Sequence, residues 1–165
     1  MLRGIIVFIQ IVLCFLLQSS VFSYFELAGV VPDIALIFVV AIAYKNGQIP
    51  AMTVGLLLGL LYDVCFGDVI GISALLYLVI GFLAGFSHKI YDKRDLVIPL
   101  LMIAAGEFLY SFFYYVFEFL LRNRTALGYY MPNVILPRIV YTVAVAVILY
   151  PLSLVISQLP KKEEE

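Results

Sequence analysis

Apolar residues along this chain run in long blocks broken by short clusters of charge, proline and glycine. A helix needs about 20 residues to cross about 30 Å of hydrocarbon. Cutting the chain at its breaks predicts six spans, at about residues 4–22, 32–44, 51–66, 70–86, 96–121 and 133–157, ahead of a charged tail at 161–165. The first span follows Arg3 and has the outline of a secretory signal. Ser19-Ser20-Val21-Phe22-Ser23 offers no clear small-x-small cleavage site, so it is read as a retained span. The second opens at Pro32-Asp33, a proline at a helix start with an acid at the positive end of the dipole.

The second and third segments are short, since a dozen helical residues reach only about 18 Å. A re-entrant pair would bury Lys45 and the loose backbone of Lys45-Asn46-Gly47-Gln48-Ile49-Pro50 at mid-depth, away from water. Two short spans with local thinning of the bilayer are the expectation instead. Leu27 to Val31 would extend the apolar coverage of the second at the outer interface.

Composition sharpens this pattern. Of 165 residues, 65% are apolar and 13% charged, against about 45–50% and about 25% in soluble domains. A chain this small cannot hide so much apolar surface in water, so its solvent is lipid. The mean hydropathy of +1.13 leaves no room for a separate soluble unit. The expected architecture is an all-α integral membrane protein, one compact six-helix domain over residues 1–160. A formal charge of −1 and scattered Lys and Arg exclude a nucleic-acid interface. Cys14 and Cys65 cannot build a metal site alone, and His88 beside Lys89 is read as a solvated loop residue, so neither metal nor cofactor is expected.

Orientation follows from the basic residues, which are retained on the cytoplasmic side. Arg3, Lys45, Lys89, Lys93, Arg94, Lys161 and Lys162 fall on one side and Arg122 and Arg124 on the other, seven against two. Both termini are therefore expected in the cytoplasm of a multi-pass inner-membrane protein. The connections after the first and third spans, with Glu26, Asp63 and Asp68 but no Lys or Arg, fit the exterior.

Ionisable groups at membrane depth are costly and read as deliberate. Asp33, Asp63, Glu118 and Arg138 all fall toward the outer leaflet, and an unpaired charge there would cost several kcal/mol. They are expected to form a polar cluster, structural or partner-binding, in which Arg138 pairs with at least one acid. The competing reading is separate snorkelling at helix ends. Glu107 lies about 15 Å into the fifth span, with no basic residue expected at its depth, and is expected to be protonated or hydrogen-bonded. Glu118 shares its face, eleven residues on.

Gly55 and Gly59 line one stripe of the third span with Asp63, and Gly67, Gly71, Gly81 and Gly85 repeat the spacing around the fourth. Small residues at such intervals let helices approach closely. The fifth span is ringed by Phe108, Tyr110, Phe112, Phe113, Tyr114, Tyr115, Phe117 and Phe119, read with Tyr129-Tyr130 as an interfacial aromatic belt.

Pro32-Asp33-Ile34, then Gly55-Leu56-Leu57-Leu58-Gly59-Leu60-Leu61-Tyr62-Asp63, then Gly67-Asp68-Val69-Ile70-Gly71-Ile72-Ser73-Ala74-Leu75 resemble, in order and spacing, the bacterial rod shape-determining MreD family. The motif region covers about residues 31–86; the rest matches in hydropathy, and Glu107, Glu118 and the aromatics of the fifth span have no place in the pattern. The resemblance implies a non-enzymatic subunit of the machinery that organises side-wall peptidoglycan synthesis. Its implied partner is MreC and, through MreC, the filament-forming MreB, the glycosyltransferase RodA and a class B penicillin-binding protein. It also implies an architecture similar to the substrate-binding subunits of energy-coupling-factor vitamin transporters.

The residues themselves favour an interaction protein. They show no nucleophile–base pair, metal spacing or phosphate loop, and Asp63 with Asp68 lacks any accompanying chemistry. The rival is a solute-binding or transport subunit with a pocket lined by Asp33, Asp63, Glu118 and Arg138. Transporters use helices broken near the midplane, whereas the break here is Pro32, away from the centre. Gly-striped spans would assemble the bundle, and a lipid-facing groove would receive another protein's helix.

Overall fold

The structure, a computed structural model, describes residues 2–26, 29–90, 92, 94–117 and 127–158. The regular elements among them are helices. Helix α1 (Leu2–Leu16) runs into a wide π turn at Leu17–Val21 and a 3-10 turn at Phe22–Phe25. There follow α2 (Ile34–Asn46), α3 (Gln48–Phe66), α4 (Ile72–Gly85) with a 3-10 extension to Ile90, and α5 (Val97–Tyr115). The short α6 (Leu127–Tyr130) leads through a π turn at Met131–Ile135 into α7 (Leu136–Gln158). Gln48–Phe66, Ile72–Ile90, Val97–Tyr115 and Met131–Leu152 are long and apolar enough to cross a membrane, while Gly4–Ser20 and Ile34–Asn46 are apolar but shorter. Four such helices fit a multi-pass membrane protein.

The third segment is not short. Its helix begins at Gln48 rather than residue 51 and has 19 residues, about 28 Å. Pro50 falls in the first turn, where a backbone N–H has no intrahelical acceptor, so the proline interrupts nothing. One residue, Gly47, separates α2 from α3, and its φ of 94° with ψ of −170° belongs to a region open essentially to glycine alone.

Helix α2 is the hub. It has 13 residues, about 20 Å, and packs against α1, α3, α4, α5 and α7. Leu36, Val39, Val40, Ala43 and Tyr44 are fully buried in it. The length rule for spans applies to helices that face lipid; one enclosed by others can be short if protein groups satisfy its ends. At its C-terminus the Gly47 N–H donates to Ala43 O, and the connection after α4 folds over the last turn, with His88 Nδ1 3.0 Å from Tyr44 O.

The antiparallel α3–α4 pair makes the most extensive contact in the fold. A Cβ on Gly59 would sit 2.4 Å from Ala74 Cα, on Gly55 2.6 Å from Tyr77 O, on Gly81 2.9 Å from Ala51 O and on Gly85 2.5 Å from Gln48 Cα. Each of these neighbours is backbone, so the two helices touch main chain to main chain along their length. Gly67 and Gly71, expected on the same stripe, lie instead in the turn between the helices. There Gly71 takes φ 108° and no atom would meet its Cβ within 4 Å, so turn geometry, not packing, calls for glycine.

Candidate functional site

A polar network is built on the N-terminus of α2. The first N–H groups of any helix lack intrahelical acceptors, and in lipid water cannot supply them. Asp33 Oδ1 accepts from the Leu36 N–H at 2.9 Å. From the π turn after α1, Gln18 Oε1 accepts from the Ile34 N–H at 2.7 Å, and its amide donates to Pro32 O at 3.1 Å. From α7, Thr142 Oγ1 accepts from the Asp33 N–H at 3.2 Å.

The second carboxylate oxygen of Asp33 faces the neighbouring helices. Tyr77 on α4 donates its hydroxyl to Oδ2 at 2.6 Å, and Arg138 Nη2 on α7 lies 3.5 Å from the same oxygen. Arg138 Nε is in ion-pair contact with Glu107 Oε1 on α5 at 2.5 Å. Its N–H is not aligned for a hydrogen bond, and neither Glu107 oxygen has a hydrogen-bond donor among the described residues. Asp33 is 1% exposed, Glu107 0% and the Arg138 side chain 23%. The guanidinium also lies over the Tyr110 ring, Cζ 5.2 Å from its centroid, and Tyr110 stacks on Tyr77 at 5.0 Å. One cation thus contacts two buried carboxylates and a π-face, joining α2, α5 and α7, with α4 tied in through Tyr77. Arg138 also lines a cavity of about 290 Å³ with Gln18, Tyr62, Phe66 and Val134.

Asp63 lies elsewhere. Expected beside Arg138, it instead turns both oxygens to the N-terminus of α4: Oδ2 accepts from the Gly71 and Ala74 N–H groups at 2.8 and 3.1 Å, and Oδ1 from Ser73 N–H at 3.2 Å. An acid at the end of one helix caps the next, as the positive end of a helix dipole favours. The two networks meet at Ser73, whose hydroxyl is 3.1 Å from that of Tyr110. Glu118 lies outside the described residues. Asp63→Asn, with one accepting oxygen in place of two, is expected to cost about 1–2 kcal/mol. The loss should register as a lower unfolding temperature in detergent and faster exchange of the 71, 73 and 74 amides; unchanged exchange there would remove the capping role.

Glu107 is not the solitary acid of the sequence reading. A span starting at residue 133 would put Arg138 only about one turn inside. The helical stretch in fact begins at Met131, so Arg138 is about two turns, or about 10 Å, from its start, and its long stem covers the remainder. Nor is Tyr110 part of an outer belt: it is buried against Tyr77. Tyr77, Gln18, Ser73 and Thr142 were missed. The available signal was a hydroxyl or amide inside an apolar span, which needs a partner when buried.

The arrangement spans helices from every part of the chain, and so does the similarity to known sequences. The model of the family described as rod shape-determining protein MreD matches residues 1–159. The chain belongs to the MreD family. Comparison with curated proteins and with solved structures found no match, so the expected likeness to vitamin-transporter subunits has no structure behind it. As an MreD protein this is a rod shape-determining membrane protein, from a family that is structural rather than known for enzymatic activity. The residues 31–86 that carry the MreD-like motifs contain Asp33, Asp63 and the α3–α4 glycines. Arg138 and Glu107 lie beyond them but inside the matched region.

Proposed function

We propose that this MreD protein is a non-enzymatic subunit of the cell-elongation complex. It binds the transmembrane helix of MreC and through it is coupled to MreB, RodA and a class B penicillin-binding protein in side-wall peptidoglycan synthesis. The family match over residues 1–159 carries this reading. The chemistry supports it: the buried acids are engaged with Arg138, Tyr77 and helix N-termini, so they join helices to one another rather than standing ready for a reaction. The bundle surface is left to apolar side chains such as Phe8, Leu13, Leu75 and Leu101, which suit either lipid or a partner's helix. The polar network would hold the helices in register, and the excess of basic residues on one side supports an orientation with both termini in the cytoplasm.

Depleting the protein in its own host is expected to convert rods to spheres. A photoreactive residue on an exposed helix face should crosslink to MreC there. Rods that persist through depletion would overturn the reading, as would a purified chain that carries a small solute and never MreC.

A further inference from the structure

Charge does not balance in the network around Arg138. Asp33 and Glu107 are both buried, and a single guanidinium is paired with the two of them. Two carboxylates against one cation leave an uncompensated negative charge at membrane depth, where ions are costly. The two acids are not held alike. Asp33 accepts from the Leu36 N–H, from the Tyr77 hydroxyl and from Arg138 Nη2, and donors of this kind favour a carboxylate over the acid. Glu107 has its ion-pair contact with Arg138 Nε and no hydrogen-bond donor on either oxygen among the described residues. We propose that this cluster binds one proton, on Glu107, and that binding it releases the Arg138 link between α5 and α7 while Arg138 stays on Asp33.

The proton comes from water, forms an O–H bond on one Glu107 oxygen and returns to water by the reverse step; no other bond changes. With it the cluster is neutral overall, one carboxylate facing one guanidinium, and Arg138 keeps the acid that offers it a charge. The remaining titratable groups of the network do not compete for the proton. Tyr62 on α3, Tyr77 on α4 and Tyr110 on α5 are phenols, neutral at physiological pH, and Asp63 is engaged by the N-terminus of α4. Access runs through Arg138. Glu107 is fully buried, but Arg138 touches both it and the cavity of about 290 Å³, which Gln18, Ser19 and Tyr62 also line and whose rim includes the exposed Gly29. A shift of this one side chain opens the acid to the end of the bundle where α2 begins.

Infrared spectra of the full-length chain in an ester-free detergent test this. Between about pH 8 and about pH 6, where exposed carboxylates stay ionised, the wild type is expected to gain the C=O band of one carboxylic acid. Isotope-labelled glutamate should move that band and labelled aspartate should not. Glu107→Gln should lose it. In Asp33→Asn, where one acid faces one guanidinium, the band should need about one further pH unit of acidification. Over the same acidification, the coupling between Arg138 and Glu107 in a double-mutant cycle should be lost. Should Asp33→Asn fail to fold, the wild type, the labelled protein and Glu107→Gln still decide. No carboxylic-acid band above the range of the exposed acids, a band that follows labelled aspartate or survives in Glu107→Gln, or a coupling indifferent to pH would each overturn the proposal. The outcome is independent of whether MreC binds.

Discussion

Arg138→Ala is expected to lower the stability of the folded bundle by about 3–5 kcal/mol, because it leaves Asp33 and Glu107 buried with no counter-charge. The loss should exceed anything the distances alone suggest, since most of it is the cost of the stranded carboxylates. Removing the demand should recover part of it: Arg138→Ala combined with Glu107→Gln is expected to be more stable than Arg138→Ala alone, because a neutral amide needs no cation. Arg138→Lys should fall between, as a compact ammonium lacks the fork that reaches two carboxylates at once. Reversible unfolding in mixed micelles, read by helical signal, measures the wild type, these three variants and Glu107→Gln alone, which completes the cycle. Strictly additive losses in the double variant would show that Arg138 and Glu107 are not coupled.

Gly59→Leu is expected to prevent α3 and α4 from pairing, and even Gly59→Ala should cost toward the upper end of about 1–3 kcal/mol. The added Cβ would lie 2.4 Å from Ala74 Cα and 2.5 Å from its nitrogen, atoms of a helix backbone that cannot rotate aside. Either α4 moves away as a unit or the helix bends. Moving it away also separates Ser73 and Tyr77 from their partners on α5 and α2. In lipid the contact has no hydrophobic drive to restore it, since tails are as apolar as the helices, and close van der Waals packing is what holds such pairs. Gly4→Ala is the matched control: its Cβ meets nothing, and alanine's better helix propensity should leave stability unchanged or slightly raised. Equal losses at the two positions would mean that helix flexibility rather than close approach explains Gly59.

Much of the architecture was legible from apolar runs alone, because a helix in lipid must satisfy its own backbone and so announces itself by length and hydropathy. Among the described residues a helix lies over each of the six apolar runs, α1, α2, α3, α4, α5 and α7. The errors share a cause. The third span reads as short because Pro50 marks a break in the apolar pattern, and α2 reads as too short because an isolated apolar run is measured against the thickness of lipid. Seen within the bundle, α2 is short because it is enclosed, with Gln18, Asp33 and Thr142 serving its first turn.

Of the polar residues, identity was readable and partnership was not. Sequence by itself determined that this chain is a set of apolar helices fit for a membrane, that an ionisable group at membrane depth calls for a partner or a proton, and which family it resembles. These follow from one-dimensional quantities: run length, charge count and spacing. Only the tertiary structure decided that Arg138 reaches Glu107 as well as Asp33, that Asp63 caps α4 instead, that Gly67 and Gly71 make a turn, and that Tyr77 and Tyr110 complete the network. Partner choice depends on the axial offset and rotation of each helix against its neighbours. In lipid those are set by side-chain packing across interfaces, where residues far apart in the chain meet within a few ångströms and no local pattern records the match.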